Sequence, residues 1–508
     1  MPLLPTDALR LTALELAQAI QQGDVTAHAV SEASLNTIEQ HDEAVGAFLS
    51  LRREAALNEA AAVDAKVARG ETLPLLAGVP IAIKDNISVS GSPATCASQM
   101  LANYVAPYDA SVVHKLKHHG LPLIGKTNMD EFAMGSSTET SAFKLTHNPW
   151  NLNKVPGGSS GGSAACVSAG MLPLSLGSDT GGSVRQPASL CGLVGLKPTY
   201  GLVSRFGLVA YASSLDQISP FARTVQDCAA LLQVIAGQDV NDMTSASAPK
   251  EVPNWLSLLQ APQASERLLG RKLRVGVVQQ LNGEGMDAEV QANFQQVLAT
   301  LQAHGAEIST VSIDAIKEAL AAYYVIAPAE CSSNLARFDG VRYGLSERED
   351  VENVYHMFRK TRAKGFGKEV KRRILLGTFA LSSGYYDAYY GKAQLTRKLL
   401  TQSFNKAFEQ VDVLICPTSP TTAFDIGSKT DDPITMYLSD VATIPVNLAG
   451  IPAMSLPSGF DSQGLPMGVQ LMAPRFGESA LLCAAFDLQE ALGLKNLVAP
   501  VAQAVTAS

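Results

Sequence analysis

The chain has 508 residues, 46% of them hydrophobic and 17% charged, with a formal net charge of −8. That length can bury a sizeable core, and the composition excludes a disordered chain. The acidic balance excludes a surface that grips nucleic acid unaided, because phosphate neutralisation needs concentrated Lys and Arg. An RNA partner held by another polypeptide stays open.

In chain order, residues 1–70 read as a helical segment packed on the core. Thr12-Ala-Leu-Glu15 has the form of a capping box, followed by Leu14, Ala17 and Ile20 at helical spacing. Further helices are predicted from about Thr26 to Glu39 and from about Glu54 to Arg69, with Gly70 as a stop. Val79-Pro-Ile-Ala-Ile83 reads as a buried strand ending in Lys84-Asp85-Asn86, and open α/β sheets place ligands at such ends. Residues 71–495 read as one α/β domain, with a possible exposed connection at 245–270 and a C-terminal tail at 496–508. Within it a strand is predicted at Leu273–Val278, a helix at Ala288–His304 and charged helices over 345–375. The last strands fall near Val413–Ile415, Ala453–Leu456 and Met467–Leu471.

Seven scattered Cys without a C-x-x-C fit a reducing compartment. No secretory or Arg-rich leader and no long apolar span are visible, so a cytoplasmic location is the expectation.

Three motifs mislead. Gly120-Leu-Pro-Leu-Ile-Gly125-Lys126-Thr127 spells a phosphate loop. Such a loop needs a strand before it and a helix after it, whereas a basic amphipathic helix precedes Gly120 and Leu121–Ile124 is itself the expected strand. His114, His118 and His119 have metal-ligand spacing, but Lys115 and Lys117 between them make a solvated basic face. Gly157-Gly-Ser159-Ser-Gly161 matches a nucleophile elbow. It follows a loop instead of a strand, and only His304 and His356 lie beyond residue 183, in polar helical settings.

Without a His base, a lysine held neutral by burial can take a serine proton. Lys84 follows an apolar run, which favours burial; the plainer reading is a strand-end Lys paired with Asp85. Ser183 follows Gly181-Gly182, where successive N–H groups can form an oxyanion hole; the plainer reading is a glycine turn. Ser159 lies in a second glycine-rich turn and could pass a proton between them. Composition leaves this as one possibility among several.

At these residues the chain resembles the amidase-signature family. The resemblance runs through Gly78-Val-Pro-Ile-Ala-Ile-Lys84-Asp85, Gly157–Ser163, Gly177–Ser183 and Cys191–Thr199. It implies a large mixed central β-sheet covered by helices on both faces. It also implies a triad of Ser183 as nucleophile, Ser159 as relay after a cis peptide bond, and Lys84 as base. The oxyanion hole would come from Thr180, Gly181, Gly182 and Ser183.

Flanking stretches at 129–135, 200–210, 337–343 and 371–378 resemble one branch of that family, the glutamine-hydrolysing subunits of tRNA-dependent amidotransferases. This implies that Tyr324, Arg373 and Asp440 bind glutamine: Arg suits a carboxylate and Asp an ammonium. It implies no metal or cofactor in this chain. The partners would be the B and C subunits of a heterotrimer, the B subunit using ATP and Mg2+ to convert Glu-tRNA(Gln) to Gln-tRNA(Gln). The alternatives are a free-standing amidase with the same triad, and a phosphotransferase using Lys126 and Thr127.

Overall fold

A computed structural model describes residues 3–247, 249, 251–283 and 285–502. The apolar runs pair into one mixed sheet of eleven strands among the described residues. They are β1 (Phe48–Leu51), β2 (Ile81–Lys84), β3 (Leu123–Thr127), β4 (Leu174–Asp179), β5 (Val194–Lys197), β6 (Gln217–Ala222), β7 (Arg274–Val278), β8 (Glu307–Val311), β9 (Val413–Pro417), β10 (Ala453–Phe460) and β11 (Pro466–Met472). The spatial order is β1-β3-β2-β4-β6-β5-β10-β11-β9-β7-β8. β3, β2 and β4 run parallel at one end, as do β9, β7 and β8 at the other, while the strands between are antiparallel.

Side chains alternate across this sheet with period two. Ile81, Ile83, Leu174, Leu176, Val413 and Ile415 enter one core. Ala82, Leu414 and Cys416 enter cores on the opposite face. Helices cover both, which is the mixed α/β architecture the family resemblance implied.

The first 70 residues hold the expected helices, Ala13–Gln22, Ala27–Val45 and Arg53–Ala68. Thr12 Oγ1 accepts from Glu15 N at 3.2 Å and Glu15 Oε2 accepts from Thr12 N at 2.9 Å, completing the capping box. Leu16, Ile20 and Val30 share a core with β2 and β4, so this segment is part of the same packed body. It also supplies β1, which pairs with β3. The sequence reading missed this strand because four residues at a sheet edge carry little pattern.

The expected exposed connection differs from what the chain does. Trp255 and Leu259 are 1% exposed and lie in the main core, and Ala264–Leu269 is helical. The apolar side chains of Trp255-Leu-Ser-Leu-Leu259 outweigh the Ser/Pro texture around them. Part of the predicted tail is also packed: Ala499 is fully buried and donates its N–H to Ser168 O. Residues 503–508 lie outside the described residues.

The phosphate-loop match dissolves into the sheet. Ser111–His118 is a helix, Gly120 stops it at φ +73°, and Gly125-Lys-Thr127 is the end of β3. The strand runs three residues beyond the predicted Ile124. All seven cysteines are free and buried. No helix among the described residues is long and apolar enough to cross a membrane.

Candidate active site

β2 and β4 are parallel neighbours, so their carboxyl ends meet at one edge of the sheet. Lys84 ends β2 and Ser178-Asp179 ends β4. Lys84 is fully buried. Its Nζ lies 2.8 Å from Ser159 Oγ, 2.8 Å from Ser160 Oγ and 3.0 Å from Ser178 Oγ. Burial pushes the Lys84 pKa down to about 7, against the pull of the Asp130, Asp179 and Asp216 carboxylates. A lysine so placed is available as a base near neutral pH. Asp85 is not its partner: Asp85 pairs with Lys126 at 3.2 Å and accepts from Thr95 N at 2.9 Å.

The Ser159 loop is fixed on every side. The Gly158–Ser159 peptide is cis. Gly158 N donates to Gln186 Oε1 at 3.0 Å, and Asp130 N donates to Ser159 O at 3.1 Å. Ser160 N donates to Ser183 O at 3.3 Å, which joins the two glycine-rich loops directly. A methyl group on Gly158 would sit 2.1 Å from Asp130 Oδ2, so only glycine fits there. The helix Gly161–Ser168 follows this loop, and no strand leads into it, so the elbow geometry is absent.

Ser183 lies in the turn between β4 and the helix Arg185–Leu190. Asp179 organises that turn. Its carboxylate accepts from Gly182 N at 2.9 Å, Val184 N at 3.3 Å and Arg185 Nε at 3.0 Å. Burial alone would raise the Asp179 pKa, but the Arg185 guanidinium overrides it and holds the acid at about 2. Gly182 has φ +137°, and a Cβ there would meet Thr443 Oγ1 at 2.2 Å. Ser183 itself is 8% exposed.

The expected oxyanion hole is narrowed by this arrangement. The Gly182 N–H is already committed to Asp179 Oδ1. Among the described residues the amides of Thr180, Gly181 and Ser183 donate to no protein acceptor, which leaves three candidate donors.

Asp440 lies beside the Ser183 turn, within electrostatic reach of Arg373. Asp440 Oδ2 accepts from the Ser136 hydroxyl, while Oδ1 is buried with no hydrogen-bond partner. A Cβ built on Gly182 would lie 3.3 Å from that Oδ1, so the bare oxygen faces the nucleophile turn. Burial raises the Asp440 pKa to about 7, with Arg373 among the groups that oppose it. Arg373, on the helix Lys368–Ala380, donates from Nη1 to Tyr211 OH and from Nε to Glu369 Oε1, both at 2.8 Å. Its guanidinium carbon lies 5.4 Å from the centre of the Tyr324 ring, which stacks on Tyr437 at 4.0 Å.

The three sequence-predicted binding residues are therefore brought together. The neighbouring Tyr323, not Tyr324, reaches the turn: its hydroxyl would lie 2.7 Å from a Cβ on Gly181. Sequence reasoning gave no role to Tyr323, Tyr211, Ser136 or Glu369, because they come from distant segments with no local pattern. It quoted Asn86, Ser178 and Asp179 without a function; their place beside Lys84 and Ser183 in sequence was the usable signal.

A cavity of about 300 Å³ is lined by Ser136, Ser137, Arg373 and Tyr437, among others. A larger cleft of about 640 Å³, lined by Ser265, Lys272, His304 and Asp487, involves none of these residues.

This geometry agrees with the relationships of the chain. The family model described as Amidase matches residues 29–482. The A subunit of glutamyl-tRNA(Gln) amidotransferase from Picosynechococcus sp. is 57% identical over 454 residues, covering 89% of this chain and 92% of that one. Its counterpart in Microcystis aeruginosa is 54% identical over 477 residues, covering 94% and 96%. In structure, the chain is similar to the A subunit of glutamyl-tRNA(Gln) amidotransferase from Thermotoga maritima, with TM-score 0.72, 42% identity and 96% and 94% coverage. It is also similar to a 6-aminohexanoate cyclic dimer hydrolase solved with its substrate, with TM-score 0.80, 27% identity and 95% and 97% coverage. The chain belongs to the amidase family, in its branch of glutamyl-tRNA(Gln) amidotransferase A subunits.

Proposed function

We propose that this chain is the glutaminase component of a tRNA-dependent amidotransferase. The observation that carries the reading is the bare, buried Oδ1 of Asp440 facing the Ser183 turn, with Arg373 nearby. An unpartnered buried carboxylate oxygen is costly unless a ligand supplies its donor. A free amino acid does so: its α-ammonium meets Asp440 and its α-carboxylate meets the Arg373 fork. The side chain of glutamine then presents a primary amide to Ser183.

The chemistry follows from the proton path. Neutral Lys84 takes the Ser159 proton, and Ser159 takes the Ser183 proton as Oγ attacks the carboxamide carbon. The amides of Thr180, Gly181 and Ser183 hold the negative oxygen of the tetrahedral intermediate. The proton returns to the leaving nitrogen, which departs as ammonia. Water then cleaves the acyl-enzyme to glutamate by the same route in reverse.

In this reading the ammonia passes to the B subunit, which uses ATP and Mg2+ to amidate the glutamate of Glu-tRNA(Gln). The C subunit completes the heterotrimer, in the cytoplasm. In the same reading the chemistry in this chain runs on side chains and backbone amides, without a metal or cofactor. The 57% identity to an amidotransferase component favours this over a free-standing amidase. The test is affinity capture of the tagged chain from its native cells. Two further chains should co-purify, and glutamine-dependent amidation of Glu-tRNA should need all three. Vigorous hydrolysis of varied amides by the lone chain would overturn the reading.

A further inference from the structure

The relay requires Lys84 to accept a proton from Ser159, yet Lys84 sits among three hydroxyls. Ser159 Oγ, Ser160 Oγ and Ser178 Oγ lie 2.8, 2.8 and 3.0 Å from Nζ. With the more distant Ser178 carbonyl at 3.4 Å, these oxygens take up the three N–H donors of the ammonium. A neutral amine keeps two N–H groups and gains a lone pair, so one hydroxyl must turn and donate. Ser160 cannot. Its hydroxyl donates to Ser178 O at 3.2 Å, and it accepts from Ser178 N at 3.3 Å. The choice lies between Ser159 and Ser178. Only donation from Ser159 opens the path to Ser183; donation from Ser178 occupies the base to no effect.

Asn86 is placed to decide between them. It is 2% exposed, and its Nδ2 lies 3.0 Å from Ser178 Oγ. Its Oδ1 is buried without a hydrogen-bond partner. Turning this amide over brings Oδ1 against Ser178 and gives the Ser178 hydroxyl an acceptor. We propose that Asn86 and Ser178 are positioning residues: Asn86 Oδ1 accepts the hydrogen bond of the Ser178 hydroxyl, and the Lys84 lone pair is left to Ser159. The charged and titratable groups facing Lys84 from its surroundings are Asp130, Asp179, Asp216 and Cys96. None of them is a hydroxyl that could replace Ser159 as donor.

This inference rests on the roles given to Lys84, Ser159 and Ser183, but not on the identity of the substrate. It is tested with the full chain and phenylmethylsulfonyl fluoride. Ser183 Oγ forms the O–S bond as the S–F bond breaks, fluoride leaves, and the proton passes through Ser159 to Lys84. Mass spectrometry of the Ser183 peptide gives the labelling rate against pH. Asn86→Leu should lower the high-pH rate about tenfold, the scale of one misplaced hydrogen bond. Adding Ser178→Ala to that variant should recover most of the loss, because the competing hydroxyl is gone.

Labelling of Asn86→Leu at the wild-type rate, or a double variant slower than the single one, would overturn the proposal. If Asn86→Leu does not fold, Ser178→Ala alone decides. The ammonium then loses one of its three hydroxyl acceptors, so the acid limb should move to lower pH; an unmoved limb overturns the proposal. Wild-type chain unlabelled at Ser183 would overturn the triad and this inference together. Labelling without glutamine hydrolysis would remove the substrate reading alone.

Discussion

Replacing Asp440 by Asn should separate binding from stability. The carboxylate is 8% exposed, with Oδ2 on Ser136 and Oδ1 bare. In the proposed complex Oδ1 takes the glutamine ammonium. A hydrogen bond between charged groups contributes about 1.5–3 kcal/mol, so kcat/KM for glutamine should fall roughly 10–150-fold. Without substrate the effect reverses. Burial raises the Asp440 pKa from 3.8 to about 7, so the folded chain holds this proton more tightly than the unfolded one. Stability contributed by the protonated acid is therefore lost as pH rises from about 4 to about 7. At about 1.4 kcal/mol per pH unit, removing the charge can return at most roughly 4 kcal/mol at pH 8. Thermal melts of both proteins, at pH 5 and pH 8, should show the variant's advantage widening at the higher pH. Glutamine should raise the wild-type Tm and barely move the variant's. Unchanged kcat/KM, or a variant less stable than wild type at pH 8, would sink this role for Asp440.

The pH profile of kcat/KM should rise through about pH 7, where Lys84 loses its proton, and Lys84→Met should remove the activity. Because the folded Lys84 pKa lies below its ordinary 10.5, burial costs stability in full below about pH 7. Melting curves should thus show Lys84→Met stabilising the chain more at pH 6 than at pH 9. Arg373→Lys loses the two-pronged fork, and steady-state kinetics should show kcat/KM for glutamine about 10–30-fold lower. Gly182→Ala places a methyl group 2.2 Å from Thr443 Oγ1 at φ +137°, and should cost roughly 2–4 kcal/mol in urea unfolding. Lys126 is buried in β3 against Asp85, so equilibrium dialysis of the isolated chain should detect no ATP binding.

Legibility from sequence differed by region, for physical reasons. The interior strands β2, β7, β9, β10 and β11 announced themselves as apolar runs, because both of their faces are buried. β8 did not: Glu307-Ile-Ser-Thr-Val311 is an edge strand with a largely exposed polar face. β6 was hidden differently, since Gln217, Ser219 and Pro220 interrupt its pattern although the whole strand is buried.

In the site, Lys84, Ser159 and Ser183 were readable because each sits in a short stretch with its own signature. Composition could not order their roles; the family resemblance did, and the structure sets Lys84 Nζ 2.8 Å from Ser159 Oγ. What stayed hidden were the residues that surround the predicted binding groups. Tyr211, Tyr323, Ser136 and Glu369 meet Arg373, Gly181 and Asp440 only after the sheet and its covering helices have packed. The Gly182 amide is the opposite case. It looked like an oxyanion donor by position, and the Asp179 side chain had already claimed it.

In the proposed function, Ser183 breaks the amide of glutamine to supply ammonia to a partner. The most direct measurement uses Ser183→Ala chain assembled with its partner polypeptides, assayed for amidation of Glu-tRNA with glutamine and, separately, with free ammonium. Amidation should be lost with glutamine and retained with ammonium. Equal loss with both donors, or glutamine use that survives the substitution, would contradict the claim.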